Sequence, residues 1–172
     1  MDAFLDLSLD EDLQTCFQAI DRNHDPKVQK HILGSQYTVI GTSDGGGRPH
    51  TADRHETSTH LLGHWVREQQ VMPLEEAVYR LTGKTALMHD ITDRGFIAAG
   101  KVADITIFDP DTITEKPREL ASLPAGGVQV KREAVGIDHV IVNGTVLLEN
   151  GQLTGALPGQ IIRGPLYQAG AA

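Results

Sequence analysis

The dipeptide Asn143-Gly144 lies between two apolar runs, residues 137–142 and residues 146–148. A two-residue type I′ turn requires positive φ at both central residues, and Asn-Gly adopts that conformation more readily than other pairs. The sequence therefore predicts an antiparallel β-hairpin near the carboxyl-terminal end of the chain.

Residues after Gly95 show further strand and loop patterns. Ile105 and Ile107 alternate with polar neighbours, which predicts a half-buried strand ending at Asp109. Residues 111–136 contain prolines and paired glycines among polar residues and are predicted to form a long surface loop. We place a domain boundary near residue 95, giving domains 1–94 and 95–172.

The residues before this boundary carry apolar stripes at helical spacing. A short helix from Pro26 to Leu33 is predicted to end at Gly34. Pro73 stands where a first helical residue is expected. The stripes consist of Leu13, Phe17 and Ile20; of Leu61, Leu62, Trp65 and Val66; and of Leu74, Ala77, Val78 and Leu81.

One short segment within the helical half has a different character. Residues 37–41 are apolar and β-branched, which predicts a buried parallel strand over residues 36–42. The segment runs into a polar, glycine-rich turn. Helix, strand and turn in this order indicate an α/β fold.

Asp44 is the best candidate for a chemical role. It follows the predicted strand at its carboxyl end, where parallel α/β folds place catalytic groups. A carboxylate there can bind a metal or act as a general base, or it can simply cap the turn. The spacing of Gly45, Gly46 and Gly47 matches no phosphate-binding motif.

The histidines and the single cysteine leave their roles open. His60 and His64 are four residues apart, as in zinc-binding pairs, but no Glu lies between them and the helix already has a core stripe through Leu61 and Trp65, which favours a solvated or partly buried pair. His50 and His55 follow Asp44 and either line a site or have no role. Cys16 lies in a helical pattern, which favours a small core residue over a nucleophile.

Charge and composition exclude several classes of partner. The net charge of −8 argues against a nucleic-acid surface and against binding to anionic membranes. The amino-terminal sequence has no signal-peptide pattern, and no run is apolar enough to span a membrane. One cysteine permits no internal disulfide, and we expect a cytoplasmic protein.

Four runs of the sequence resemble, in order, the carboxyl-terminal part of N-acyl-D-amino-acid deacylases, the D-aminoacylases of the amidohydrolase superfamily. The V-N-G hairpin and the G-x-x-A-D-I-x-x-F-D pattern occur across the superfamily, whereas L-G-H-W-V-R-E and T-G-A-L-P-G are more particular to D-aminoacylases. The runs are GTSDGGGRPH, HLLGHWVREQQVMPLEEAVYRLTG, DRGFIAAGKVADITIFDPDTI and IDHVIVNGTVLLENGQLTGALPGQIIRG.

The resemblance implies an α/β fold that is an incomplete fragment. It would comprise the last strand and helices of a TIM-like (β/α) barrel, in residues 1–94, and the carboxyl-terminal strands of a small β-sandwich, in residues 95–172. Asp44 matches the family aspartate that is both base and metal ligand. The implied cofactor is zinc, and the implied reaction is hydrolysis of the amide bond of an N-acyl-D-amino acid, with Asp44 moving a proton from the metal-bound water to the leaving amine.

Three departures from the family pattern affect this expectation. The family's Gly-Gly-Ala-His turn reads Gly45-Gly46-Gly47-Arg48-Pro49-His50 here, so the histidine role is not carried over. Lys84 stands near the position of a usual proline. Only Asp44 is a convincing ligand, whereas a zinc site needs about three or four.

We therefore expect that the chain alone lacks a complete active site and exposes apolar surface. A missing amino-terminal segment or self-association would cover that surface. Two alternatives stay open: a fragment of another amidohydrolase, acting on cyclic amides or related C–N bonds, and a non-catalytic remnant that binds a partner.

Overall fold

The computed structural model describes residues 2–13, 15, 25–41 and 57–164. The chain divides into two compact units, Met1–Ile32 and Leu33–Ala172. Helices precede antiparallel strands along the chain, which agrees with an α/β chain. None of the helices in the described ranges is long and apolar enough to cross a membrane.

Two helices occupy the amino-terminal region, α1 (Asp2–Asp10) and α2 (Pro26–Gly34). The predicted helix through Leu13 is wrong at that residue, because Asp12 and Leu13 have φ of 50° and 62°. These left-handed residues end α1, and Leu13 N–H donates to Ser8 O at 2.7 Å. Phe17 and Ile20 lie outside the described residues. The second helix is confirmed.

Among the described residues of the second unit, residues 57–88 form helices that match the predicted stripes. They are α3 (Thr57–His60), a π-helix (Leu61–Glu68), α4 (Leu74–Leu81) and α5 (Gly83–Met88). Pro73 caps α4 with an extended ψ of 153° instead of forming its first helical residue. Their apolar faces build the core, whose buried members are Leu61, Leu62, Trp65, Val66, Met72, Ala77 and Ile113.

Residues 35–41 form turns and irregular structure, so the predicted strand over residues 36–42 is wrong for its described part. A strand needs a neighbour whose backbone completes its hydrogen bonds. Side-chain cations bind this segment instead: Lys84 Nζ donates to the carbonyls of Gln36 and Thr38 at 2.8 and 2.9 Å. Arg80 Nη1 donates to the carbonyls of Leu33 and Ser35 at 2.7 and 3.0 Å.

A four-stranded antiparallel sheet has the strand order β1-β6-β7-β8. The predicted hairpin is confirmed, because Asn143 and Gly144 join β6 to β7 with φ of 49° and 76°. The predicted alternation in β1 fails at Ile107, which is 47% exposed; the register shifts between Ile107 and Phe108. The strands are β1 (Ile105–Phe108), β6 (Ile137–Val142), β7 (Thr145–Glu149) and β8 (Gln152–Leu153).

The predicted surface loop over residues 111–136 is wrong. Two antiparallel pairs form there, β2 with β5 and β3 with β4, and Ile113 is 1% exposed. The chain reverses between β3 and β4 over Pro124–Gly126, where Leu123 N–H donates to Gly127 O at 2.7 Å. The strands are β2 (Thr114–Glu115), β3 (Glu119–Ser122), β4 (Val128–Lys131) and β5 (Ala134–Val135).

Core contacts join residues on both sides of the predicted boundary at residue 95. Ile113 lies in the same cluster as Leu61 and Trp65 of the π-helix. Arg67 Nη1 donates to Ile113 O at 2.7 Å. The division into domains 1–94 and 95–172 stays a prediction.

Two glycines with positive φ allow a test of how tightly this region packs. At Gly136 (φ 81°) an added Cβ would lie 2.7 Å from Ile113 N, whereas at Gly144 (φ 76°) it would meet nothing within 4 Å. We expect Gly144→Ala to cost about 1–2 kcal/mol of unfolding free energy from backbone strain. Gly136→Ala should cost clearly more, because backbone must also shift. Urea denaturation measures both, and equal losses would contradict the tight packing at Ile113.

Candidate functional site

A cleft of about 700 Å³ opens in the second unit. Its lining combines apolar side chains with hydroxyl, imidazole and charged groups. Gly41 and Thr57 both line it, and these residues flank segment 42–56 in the sequence. The lining residues are Val39, Ile40, Gly41, Thr57, Ser58, Thr59, Leu81, Thr85, Met88, His89, Arg132, Glu133 and Ala134.

The wall formed by residues 39–41 is held by side chains from α4 and α5. Lys84 binds the carbonyl of Thr38 at 2.9 Å, directly before Val39. Arg80 is 3% exposed and its Nε donates to Glu76 Oε1 at 2.6 Å, so its guanidinium is fixed where it meets Ser35 O. The irregular segment therefore keeps a defined place without sheet neighbours.

Residues 132–134, another part of the lining, are fixed through β2 and β5. Lys116 N–H donates to Glu133 O at 2.8 Å, next to the pairing of Glu115 with Ala134. Lys116 Nζ and Lys131 Nζ approach the Glu133 carboxylate at 2.8 and 2.6 Å. Their hydrogen bonds and charges lower the pKa of Glu133 to about 2. Glu133 is therefore ionised throughout the neutral range.

Asp44, the predicted catalytic and metal-binding residue, lies outside the described residues, as do His50, His55 and Cys16. Gly41 and Thr57, which flank residues 42–56 in the sequence, both line the cleft. The role of Asp44 stays a prediction.

His60 and His64 each pair with a glutamate. His60 Nδ1 lies 2.9 Å from Glu115 Oε1, and His64 Nδ1 lies 2.9 Å from Glu68 Oε2. The two rings stack with centroids 5.0 Å apart. The partnership with His64 lowers the pKa of Glu68. The imidazoles are 46% and 37% exposed, so the pair is partly exposed, and its role stays a prediction.

The described residues do not fit a metal ion. Within the described ranges, no group of three or more His, Cys, Asp and Glu side chains is arranged to hold one. A zinc site needs about three or four protein ligands. Any such site therefore needs at least one ligand from outside residues 2–13, 15, 25–41 and 57–164.

The motif residues shared with the superfamily form a structural network. Arg94 binds the Asp104 carboxylate and donates to Asn143 Oδ1 at 3.0 Å. Asn143 N–H donates to Asp104 Oδ1 at 2.7 Å, and its side-chain amide donates to Pro158 O at 2.6 Å. These contacts fix the hairpin turn against the chain before β1. The A-D-I, V-N-G and A-L-P-G patterns therefore reflect one packing arrangement.

Asp109, from the same motif region, organises the turn into β2. Its Oδ1 accepts from Asp111 N–H and its Oδ2 from Thr112 Oγ1, both at 2.9 Å. These hydrogen bonds lower the pKa of Asp109. Ile113 N–H donates to Asp109 O at 2.9 Å, so the turn positions Ile113 in the core.

The Asp104 network gives a testable pH dependence. Partial burial raises the pKa of Asp104, but the hydrogen bond from Asn143 and the Arg94 guanidinium outweigh it, so the pKa is lowered from 3.8. The stabilisation is fully present above pH 3.8 and is lost as pH falls through the lowered folded pKa. As the pH is lowered from 5 to 2.5, the urea denaturation midpoint should fall less steeply for Asp104→Asn than for the unchanged chain. Identical slopes would contradict the network.

Several cleft residues were not singled out from the sequence. Arg132 and Glu133 fell within the predicted loop, and Thr57, Ser58 and Thr59 lay outside every motif with a chemical role. The alternation of Val128 and Val130 was a usable signal for a strand leading to Arg132. No short-range pattern signals the approach of Arg132 to the start of α3.

The profile of the amidohydrolase family matches residues 10–148, so the chain belongs to the amidohydrolase family. It is 33% identical over 142 residues to a D-aminoacylase of Alcaligenes xylosoxydans xylosoxydans, covering 80% of this chain and 27% of that protein. It is 31% identical over 157 residues to an N-acyl-D-glutamate deacylase of the same organism, covering 89% of this chain and 29% of that protein.

A solved D-aminoacylase also matches the fold. That protein has a binuclear metal centre with one-metal activation and second-metal attenuation. The match has a TM-score of 0.59 and 31% sequence identity, and it covers 77% of this chain and 26% of that one. The chain thus spans between a quarter and a third of the length of these relatives. Its resemblance to D-aminoacylases is confirmed.

Proposed function

We propose that this chain supplies the carboxyl-terminal part of a metal-dependent hydrolase of N-acyl-D-amino acids. The observation that carries the proposal is its 33% identity to a D-aminoacylase over 142 residues. An N-acyl-D-glutamate deacylase is 31% identical over 157 residues. The names of both relatives share the N-acyl-D-amino acid chemistry and differ in the amino acid, so the proposal specifies that substrate class and leaves the side chain open.

In this proposal the reaction cleaves the acyl–nitrogen bond. Water adds to the acyl carbon, one of its protons moves to the leaving nitrogen as the C–N bond breaks, and the second proton passes from the new carboxylic acid to the amine, which gives a carboxylate and an ammonium group. Asp44 is proposed to carry the first proton. The proposed metal is zinc, and no step is assigned to it because the described residues do not fit one.

The absence of a complete set of metal ligands among the described residues supports an active site that also uses residues from another segment. The described residues offer no metal cluster, and the relatives are about three times as long as this chain. We propose that residues 1–94 complete a TIM-like barrel and that residues 95–172 complete a small β-sandwich. In both cases the partner is the segment that corresponds to the remainder of the relatives.

The test compares the chain alone with the assembled protein. With zinc added, the 172-residue chain should not hydrolyse N-acetyl-D-amino acids above background. Co-expression with a matching amino-terminal segment should restore turnover, measured as release of the free amino acid. N-acetyl-L-amino acids serve as the control substrates. Zinc-dependent hydrolysis by the chain alone would contradict the division of labour, and no turnover by the assembly would contradict the proposed function.

A further inference from the structure

The four-stranded sheet contains two Asn-Gly turns. Asn143-Gly144 joins β6 to β7, and Asn150-Gly151 joins β7 to β8. All four residues have positive φ, between 49° and 76°. The two turns therefore share their sequence and the sign of their backbone angles, and they differ in what binds the asparagine side chain.

An asparagine followed by glycine can lose its side-chain amide without an enzyme. The glycine backbone nitrogen attacks the asparagine Cγ, an N–Cγ bond forms, and the Cγ–Nδ2 bond breaks. The side-chain nitrogen leaves as ammonia with the proton of the glycine N–H. Water then opens the cyclic imide at either carbonyl, which gives aspartate or isoaspartate. Glycine favours the attack because it has no side chain beside its nitrogen, but the asparagine amide must turn until Cγ faces that nitrogen.

The side chain of Asn143 is held at both of its polar atoms. Arg94 Nη2 donates to Asn143 Oδ1 at 3.0 Å, and Asn143 Nδ2 donates to Pro158 O at 2.6 Å. The guanidinium of Arg94 is itself fixed by its ion pair with Asp104. Turning the amide toward Gly144 would break both hydrogen bonds, one of which comes from a charged donor. The folded structure therefore opposes the reaction at Asn143.

The side chain of Asn150 is exposed and has no hydrogen-bond partner among the described residues. Gly151 N–H donates to Asp138 O at 3.1 Å. The matching N–H of Gly144 donates to Ala103 O at 2.9 Å, so the two attacking nitrogens are held alike. The strand β8 has two residues and lies at the edge of its sheet, so local opening of its turn breaks few hydrogen bonds.

We propose that Asn150 is a site of spontaneous deamidation in the folded protein and that Arg94 and Pro158 protect Asn143 from the same reaction. Aspartate at this position adds a negative charge next to Glu149. Isoaspartate inserts an extra carbon into the backbone of the turn, which disturbs the pairing of Glu149 with Gln152. The modification therefore loosens β8 from the edge of the sheet.

Incubation of the full 172-residue chain at mildly alkaline pH, followed by trypsin digestion and mass spectrometry, compares the two sites in one sample. Both asparagines lie in the tryptic peptide 133–163, and fragment ions assign the new acid to one of them. Asn150 should convert at least about tenfold faster than Asn143. In guanidinium chloride the two rates should agree within about twofold, because the folded contacts of Asn143 are then absent.

Two variants test the cause of the difference. Arg94→Met removes one of the two bonds to the Asn143 amide and should speed the conversion of Asn143 in the folded chain. Asn150→Gln is the matched control, because glutamine would need a larger ring. It should abolish the conversion at residue 150 and leave the rate at Asn143 unchanged.

Equal rates at the two asparagines in the folded chain, or no conversion at Asn150, would overturn the proposal. An unchanged or slower conversion of Asn143 in Arg94→Met would overturn the protective role of Arg94. If Arg94→Met does not fold by circular dichroism, the comparison of the folded with the unfolded form of the unchanged chain decides the question.

Discussion

Asp44→Ala should lower kcat/KM for an N-acetyl-D-amino acid by about 10²–10⁴-fold in the assembly with an amino-terminal segment. The physical reason is proton transfer. Amide hydrolysis must take a proton from the attacking water and deliver one to the leaving nitrogen, and Asp44 is proposed to do both. The measurement is initial rates of amino-acid release at saturating and subsaturating substrate.

The control for Asp44→Ala is Asp6→Ala, since Asp6 is an exposed aspartate in α1. It removes the same charge and should leave kcat/KM within twofold. Size-exclusion chromatography of both assemblies should show the same complex, because Asp44 is proposed to act in the chemistry and not in the association. A rate within tenfold of the unchanged assembly would remove Asp44 from the mechanism. Metal content of the two assemblies shows whether Asp44 is also a ligand.

The elements predicted correctly are those whose determinants lie close together in the sequence. Asn143-Gly144 specifies its turn through the backbone preferences of two residues, and the structure has positive φ at both. The apolar stripe of α4 likewise lies within one short segment, and its residue Ala77 is fully buried. Local chemistry is sufficient in both cases.

The prediction of a strand over residues 36–42 was wrong for its described part, because a strand needs a neighbouring strand that cannot be identified from its own sequence. The apolar, β-branched run was present, yet Tyr37 is 89% exposed. Arg80 and Lys84, more than forty positions away, bind the carbonyls that a neighbouring strand would otherwise bind. Sequence patterns indicate which secondary structure a segment favours. They do not indicate which distant side chains or strands will bind its backbone.

The loop prediction over residues 111–136 failed for a related reason. Proline and paired glycines do mark a chain reversal at Pro124–Gly126, but the reversal joins two strands. The strands are short, and β2 and β5 have only two residues each, too few for a periodic pattern. Their pairing brings Arg132 and Glu133 to the cleft. The charged residues of the cleft lining were therefore not predictable from short-range sequence patterns.

The largest effect on stability is expected from Ile113→Ala, about 2–5 kcal/mol of unfolding free energy. Ile113 is 1% exposed and lies in the cluster with Leu61, Trp65 and Ala77. Its backbone is held at both ends, by Arg67 Nη1 at 2.7 Å from its carbonyl and by Asp109 O at 2.9 Å from its N–H. Because the backbone is fixed, the neighbours cannot easily collapse into the space left by the side chain.

Graded and matched variants distinguish this cavity effect from a general loss of apolar surface. Ile113→Val removes one methylene and should cost about 0.5–1.5 kcal/mol. Ile107→Ala makes the same truncation at a side chain that is 47% exposed, and it should cost less than Ile113→Ala because that side chain already contacts water. Urea denaturation midpoints with unchanged slopes measure all three. Equal losses for Ile107→Ala and Ile113→Ala would show that Ile113 does not occupy the centre of the core. A larger loss for Ile113→Ala than for Ile107→Ala would show that Ile113, directly before β2, holds the strands against the helices. The sequence had assigned this residue to a surface loop.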